Sequence, residues 1–323
     1  MLHAEEMLPV KVALVESIGK RVKRFTFVSD NKQELPSFTA GSHILVHMQK
    51  GDQRISRAYS LTNSPSERDC YQIVVQLEEL SKGGSSFMHS HVSVGTSLTI
   101  SAPKNLFALA PEASHHILIA GGIGITPFLS QVEKLNSENS SFTLHFAMRD
   151  KTEHALLCSE LSCSSFAQNC RFYPADQGTY LNLSHILESA PAEAHFYVCG
   201  PQGLIKSVQD AAMTLGVPNK NIHWEKFTQD QNDSTAFTLV LNRSGHELQI
   251  PEGVSILDAI EKANLAKVDC MCREGVCGTC ETLIIEGEAD HRDQFLTTEE
   301  KNEQKSMLIC VSRSRGKKLV LDL

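Results

Sequence analysis

The sequence predicts a chain of three folded parts: an antiparallel β-barrel, a doubly wound parallel α/β domain, and a small C-terminal domain built around a cysteine loop. Three observations carry this. Short β-rich runs follow one another through residue 106. From residue 107 onward, apolar strand-like runs alternate with helical patterns. Near the C-terminus, Cys272, Cys277 and Cys280 stand as C-x4-C-x2-C, with Cys310 at a distance. A length of 323 residues leaves room for two or three domains.

Residues 10–15 alternate, Gly19 supplies a turn, and residues 22–28 continue the strand pattern. β-formers fill residues 43–48 and 71–77, and residues 98–100 close the set before Ala102-Pro103. Short strands at this spacing suggest an antiparallel barrel. The pattern then changes. Residues 116–120 are an apolar run of buried-strand type that ends in Gly121-Gly122. A helix follows, with Phe128, Leu129, Val132 and Leu135 on one face. Residues 143–148 and 195–199 read as further apolar strands, and residues 204–215 as a helix. This is the order of a parallel, doubly wound sheet. Residues 228–234 are polar and read as a linker. Beyond them, residues 237–241 and 247–250 flank Asn242-Arg243-Ser244-Gly245, a hairpin signal. Ser255 is placed to cap a helix through Leu257 and Ile260, and residues 318–321 form a last strand. No internal repeat is present. The expected domains are residues 1–106, 107–228 and 236–323, with a linker at 229–235.

A hydrophobic content of 41% with 21% charged residues fits folded globular domains. The net charge of −8 argues against a nucleic-acid binder, whose footprint would be basic. The N-terminus lacks an apolar signal region, and no apolar run spans a bilayer. The expectation is a cytoplasmic protein whose cysteines are thiols or metal ligands.

The cysteine spacing is that of a plant-type [2Fe–2S] site, with Cys272, Cys277, Cys280 and Cys310 as ligands. Thiolates suit iron and sulfide as soft partners. Gly275 and Gly278 allow the tight backbone such a loop needs. Zinc is the alternative, although its structural sites usually pair two short C-x2-4-C units. A disulfide framework is disfavoured without a secretory signal. Cys270 falls outside the spacing and reads as a bystander thiol.

A cluster of this kind takes single electrons, whereas nicotinamide delivers a hydride. A flavin converts one into the other, so the upstream sequence is read for both sites. In Arg57-Ala58-Tyr59-Ser60, a strand would point Arg57 and Tyr59 the same way. Arginine holds phosphate bidentately, and tyrosine stacks on a flat ring. Gly83-Gly84-Ser85-Ser86 would offer backbone N–H groups to an anion at a helix start. Read alone, these are also an ordinary strand and an ordinary turn. Gly121-Gly122-Ile123-Gly124-Ile125-Thr126-Pro127 follows a strand and opens a helix, as a pyrophosphate site does, and as a structural glycine turn does too. Cys199-Gly200-Pro201 ends another strand, and ligands in open α/β sheets bind at such ends.

Together, in this order, these motifs resemble the ferredoxin–NADP reductase superfamily. With the cysteine loop at the C-terminus, the whole chain resembles the phthalate dioxygenase reductase family. Within it, Arg57-Ala58-Tyr59-Ser60-Leu61, Asn105-Leu106-Phe107-Ala108-Leu109 and Gly287-Glu288-Ala289-Asp290-His291-Arg292-Asp293-Gln294 are similar to the branch of carnitine monooxygenase reductase subunits. The resemblance implies a β-grasp ferredoxin domain and an electron path from NADH through FMN and [2Fe–2S] to a Rieske-type oxygenase. Arg57, Gly83, Gly84, Ser85 and Ser86 would hold the FMN phosphate. Tyr59 would lie on the flavin, and Ser60 would hydrogen-bond to it. Gly121, Gly122, Gly124, Thr126, Gly200 and Pro201 would receive NADH, with Cys199 near the nicotinamide. Phe227 would cover the flavin until nicotinamide displaces it. Asp176 would accept ribose hydroxyls, its other reading being a plain loop aspartate. Arg273 and Glu274 would flank the docking face. Another Rieske demethylase or an aromatic dioxygenase is the alternative acceptor. From a different class comes a zinc-holding adaptor that has no catalysis.

Overall fold

Valine and phenylalanine at alternate positions build the first sheet. β1 (Met7–Gly19) and β2 (Val22–Ser29) pair antiparallel and bury Val10, Val12, Phe25 and Phe27. β3 (Ser42–Lys50), β4 (Gln53–Ser60), β5 (Tyr71–Gln76), β6 (Ser97–Ser101) and the short β7 (Lys104–Asn105) complete it. The order is β4-β3-β6-β1-β2-β5, with β7 on β3. An antiparallel bridge from Leu61, just past β4, to Ile73 on β5 joins the two edges. The sheet therefore closes into a barrel, which removes the exposed edges an open sheet would leave. α1 (Gly84–His91) follows β5 in the chain.

The computed structural model describes residues 7–31, 33–51, 53–78, 83–227 and 235–323. Residues 1–6, where a signal region was sought, and residues 228–234 of the expected linker lie outside them. The chain divides into two units, the larger ending at Phe227.

The second sheet of the larger unit is parallel. It contains β8 (His115–Gly121), β9 (Phe142–Met148), β10 (Cys170–Pro174), β11 (Ala194–Cys199) and β12 (Ile222–Glu225), in the order β10-β9-β8-β11-β12. Alternate residues of β8 enter different cores. Leu118 and Ala120 pack with α2 (Thr126–Ser137) and α3 (Ala155–Cys163). Ile117 and Ile119 pack with α4 (Leu183–Glu188) and α5 (Gln202–Thr214). Both faces of the sheet are thus covered, which explains why its strands read as continuous apolar runs. At the N-terminal ends of the strands, His223 stacks on Tyr197 and on His195, whose Nδ1 lies 2.9 Å from His223 Nε2. No helix among the described residues is long and apolar enough to cross a membrane.

The smaller unit holds a mixed sheet of β13 (Phe237–Leu241), β14 (His246–Ile250), β15 (Glu281–Glu286), β17 (Ser306–Leu308) and β19 (Lys318–Leu321). Their order is β14-β13-β19-β15-β17, with β13 and β19 parallel. The short β16 (Ala289–Asp290) and β18 (Arg313–Ser314) pair separately. α6 (Ile256–Ala263) begins at Ser255, whose side chain accepts the Asp258 N–H at 3.0 Å. Its Ile256, Leu257 and Ile260 join the core of this unit. α7 (Thr298–Glu303) starts with a capping box between Thr297 and Glu300. The predicted fold class holds in all three parts.

Candidate cofactor and metal sites

The cysteine loop runs between α6 and β15. Cys272, Cys277, Cys280 and Cys310 are all buried, the last arriving just after β17. Gly275 (φ 73°) and Gly278 (φ 85°) take left-handed backbone. A Cβ on Gly275 would stand 2.7 Å from Val311 Cγ2, and one on Gly278 would enter the Phe295 ring. The Glu274 N–H donates to Cys272 Sγ at 3.3 Å. Thr279 Oγ1 accepts the Met271 N–H at 3.0 Å and lies 3.1 Å from Cys277 Sγ. Gln294 N–H donates to the Gly275 carbonyl at 3.0 Å, tying the loop to the segment that follows β16. Hydrogen bonds from the Cys277 and Cys310 thiols lower Cys272 while the same contacts raise Cys277 and Cys310, so within the group one thiol ionises at the others' expense. Thiolate character is what a metal–sulfur site requires. Three buried thiols on a loop this tight, with Cys310 returned beside Cys280, fit the donor set of a [2Fe–2S] cluster.

Two residues of this loop have surroundings the sequence did not show. Arg273, expected to flank the docking face, pairs its partly exposed guanidinium with Asp258 at 3.0 Å and Glu261 at 2.5 Å, both on α6. Cys270 was expected to be a bystander. Its Sγ lies with those of Cys280 and Cys310, all within 4.8 Å of one another. Spacing arithmetic could not show this, because it is the fold that returns Cys310 to the loop.

On the barrel, Arg57, Tyr59 and Ser60 sit on the last half of β4, as the strand reading required. Tyr59 packs at the edge of the barrel core, and Ser60 is buried. Gly83 precedes α1 with φ 103°, and Gly84, Ser85 and Ser86 form the first helical turn, which carries no acidic residue. Ser86 Oγ donates to the Gly83 carbonyl at 3.1 Å, and Ser85 Oγ accepts the Glu78 N–H at 3.2 Å. A helix start of this kind, with its N–H groups and no competing carboxylate, fits a phosphate.

In the parallel sheet, the glycines after β8 divide their work. A Cβ on Gly124 would overlap the Cys199 carbonyl, and one on Gly121 would stand 2.8 Å from Pro201 Cδ. Gly200 in turn meets Gly121 Cα within 2.9 Å of where its own Cβ would be. These three let the loops after β8 and β11 pack backbone to backbone. Gly122 differs. It has φ 55°, and nothing lies within 4 Å of its Cβ position, so a ligand can approach its backbone. Thr126 starts α2 and donates its hydroxyl to the Ile123 carbonyl at 3.0 Å. Cys199 is fully buried, and burial first, with Glu225 second, pushes its thiol well up. Asp176 lines a cavity of about 380 Å³ with Lys151, Thr152, Ala155, Cys158, Ser159 and Gln177. Phe227 packs against the core of the sheet.

Glu225 escaped the sequence reading. It ends β12 directly beside Cys199 of β11, with its carboxyl buried. Burial raises its pKa to about 8, so it holds a proton at neutral pH. The only sequence signal was an acidic residue closing a short strand just before Phe227.

Comparisons with known proteins divide the chain in the same way. The oxidoreductase FAD-binding domain family matches residues 9–108. The N-terminal domain of dimethylamine monooxygenase subunit DmmA-like proteins matches residues 99–222. The 2Fe-2S iron-sulfur cluster binding domain family matches residues 239–315. The solved structure of phthalate dioxygenase reductase, described as modular for electron transfer from pyridine nucleotides to [2Fe–2S], is 35% identical. It covers 98% of each chain with a TM-score of 0.73. This chain belongs to the phthalate dioxygenase reductase family. Among other members, the carnitine monooxygenase reductase subunit of Escherichia coli (strain K12) is 49% identical over 98% of this chain and 99% of its own. The heme-dependent oxidative N-demethylase beta subunit of Ectopseudomonas mendocina (strain ymp) is 36% identical over 98% and 99%. Like the solved phthalate dioxygenase reductase, the chain is an electron-transfer oxidoreductase with a flavin domain and a [2Fe–2S] domain.

Proposed function

We propose that this chain is the NADH-dependent reductase of a two-component Rieske-type oxygenase, and that the oxygenase is a carnitine monooxygenase converting carnitine to trimethylamine and malic semialdehyde. The carrying observation is 49% identity, nearly end to end, with a carnitine monooxygenase reductase subunit. Residues 1–106 serve the flavin, 107–228 the nicotinamide and 236–323 the cluster, across a linker at 229–235.

Bound flavin and cluster supply the conversion of a hydride into single electrons and their onward relay. The chain supplies positions. Arg57 and the first turn of α1 hold a terminal phosphate, which favours FMN although the matching family is named for FAD. Tyr59 offers a flat ring to the flavin, and Ser60 a hydroxyl. Gly122 gives the dinucleotide an open backbone, and Gly121, Gly124, Gly200, Pro201 and Thr126 shape the loops around it. Asp176 accepts ribose hydroxyls and repels a 2′-phosphate, so NADH is preferred. Cys199, with Glu225 beside it on β12, would lie near the nicotinamide, and Phe227 would cover the flavin until nicotinamide displaces it. Cys272, Cys277, Cys280 and Cys310 hold the iron. Clusters of this type lie at roughly −400 mV, below the about −150 mV or higher of Rieske centres, so transfer runs toward the oxygenase. Ligand thiols persist in a reducing compartment, which supports a cytoplasmic setting.

The test begins with the flavin released by heating, whose mass separates FMN from FAD. Anaerobic NADH should then bleach both flavin and iron–sulfur absorbance. Mixed with a carnitine oxygenase subunit, the chain should support NADH-dependent release of trimethylamine. Trimethylamine at background, with brisk transfer to an aromatic-ring dioxygenase, would move the acceptor to that alternative.

A further inference from the structure

Five thiols, not four, meet around the cysteine loop. With Cys272, Cys277, Cys280 and Cys310 assigned to the cluster in the proposed function, Cys270 is the surplus one. Its Sγ and those of Cys280 and Cys310 lie within 4.8 Å of one another. That spacing has a size meaning. In a tetrahedral site with metal–sulfur bonds of about 2.3 Å, neighbouring sulfurs stand roughly 3.8 Å apart. Three sulfurs this close fit around one ion. A two-iron centre takes two thiolates on each iron and separates the opposite pairs by the width of its metal–sulfide core. The trio also combines the surplus thiol with two that the cluster needs, so the two occupancies exclude each other.

We propose that Cys270, Cys280 and Cys310 form a mononuclear site for a single thiophilic divalent ion, Zn²⁺ or Fe²⁺, in the chain that does not hold its cluster. The inference rests on the four-cysteine cluster assignment. Cys270 is the partly exposed member, whereas Cys280 and Cys310 are buried, so the ion would enter past Cys270. Thiolates select soft ions over Mg²⁺ or Ca²⁺. Binding is ligand exchange without electron transfer: the ion loses water, each thiol loses its proton to solvent, and three metal–sulfur bonds form. Cluster assembly then requires Cys280 and Cys310 to leave Cys270.

The test strips the full-length chain of its cluster without oxygen and titrates it with Co²⁺ alone, whose absorption reports tetrahedral thiolate coordination. Wild type should bind one equivalent, and Zn²⁺ should bleach the bands. Cys277→Ser removes a cluster ligand outside the trio and should bind Co²⁺ as wild type does. Cys270→Ser should bind it roughly tenfold or more weakly, yet accept a reconstituted [2Fe–2S] cluster with wild-type visible circular dichroism. Equal Co²⁺ affinity in wild type and Cys270→Ser, or no tetrahedral band in wild type, overturns the proposal. Failure of Cys270→Ser to hold the reconstituted cluster overturns the four-cysteine assignment, and the proposal with it.

Discussion

Arg273 holds left-handed backbone at φ 58°, the first residue after Cys272. For a residue with a Cβ this costs about 1–2 kcal/mol. Its two carboxylate partners on α6 offset the strain by fixing the side chain. Arg273→Ala keeps the strain and loses the tether, and should lose its cluster to a chelator about 5-fold faster than wild type. Arg273→Gly removes both and should stay near wild type. Chelation followed at 460 nm decides this, and equal rates for the alanine variant and wild type would show that the tether holds nothing. Glu225 works through a proton. Its folded pKa of about 8 stands above the ordinary carboxylate value of 4.5, so the folded state binds the proton more tightly than the unfolded one. The stability this gives is full below pH 4.5 and is lost as pH rises through about 8. Glu225→Gln should therefore be more stable than wild type by on the order of a few kcal/mol at pH 8.5, and nearly equal to it at pH 4.5. Urea midpoints at the two pH values measure it. A constant difference would mean that Glu225 does not titrate as its burial dictates.

Among the elements, the glycine turn after β8 separates fold from ligand. Gly124→Ala puts a methyl into the Cys199 carbonyl and should destabilise the parallel sheet by about 2–4 kcal/mol, read from chemical denaturation. Gly122→Ala meets open space, so only its positive φ costs, about 1 kcal/mol. The fold should survive while KM for NADH rises. An unchanged KM would leave Gly122 as a turn residue only. Elements with one clear pattern were legible in the sequence. β1 and β2 alternate, β8 and β11 are apolar beyond the histidines at their N-terminal ends, and α6 carries its cap. The short elements were not. β12 is four residues that end in a carboxylate, and β10, α4 and α7 lack a run long enough to show a period. The site was legible wherever its residues are consecutive, as in the cysteine loop and the glycine turn. Glu225 and Cys270 gain their surroundings only when strands pair or a remote cysteine returns, and no local spacing encodes that.

At the scale of the molecule, the proposed function predicts that cluster and flavin steps can be separated. Cys277→Ser should abolish electron transfer through the cluster, measured with a one-electron protein acceptor, while NADH oxidation by a flavin-level acceptor such as ferricyanide continues near the wild-type rate. Loss of both would mean that the smaller unit is needed for flavin reduction itself. The buried imidazoles set an acid limit on the larger unit. Burial lowers His116, His145 and His223 from 6.5 to about 4. Lowered imidazoles contribute stability above pH 6.5 and lose it as pH falls through about 4, opposite in sign to Glu225. Stability against urea should therefore peak between these limbs, and His116→Phe should flatten the acid one.

β19 lies at the centre of its sheet, between β13 and β15, although it is the last strand of that domain to be synthesised. Until it leaves the ribosome, β13 and β15 have no partner to join them. The four cysteines are then present on the chain without a frame. Cluster insertion should accordingly wait until β19 has joined its sheet, and chains truncated before Lys318 should not retain iron.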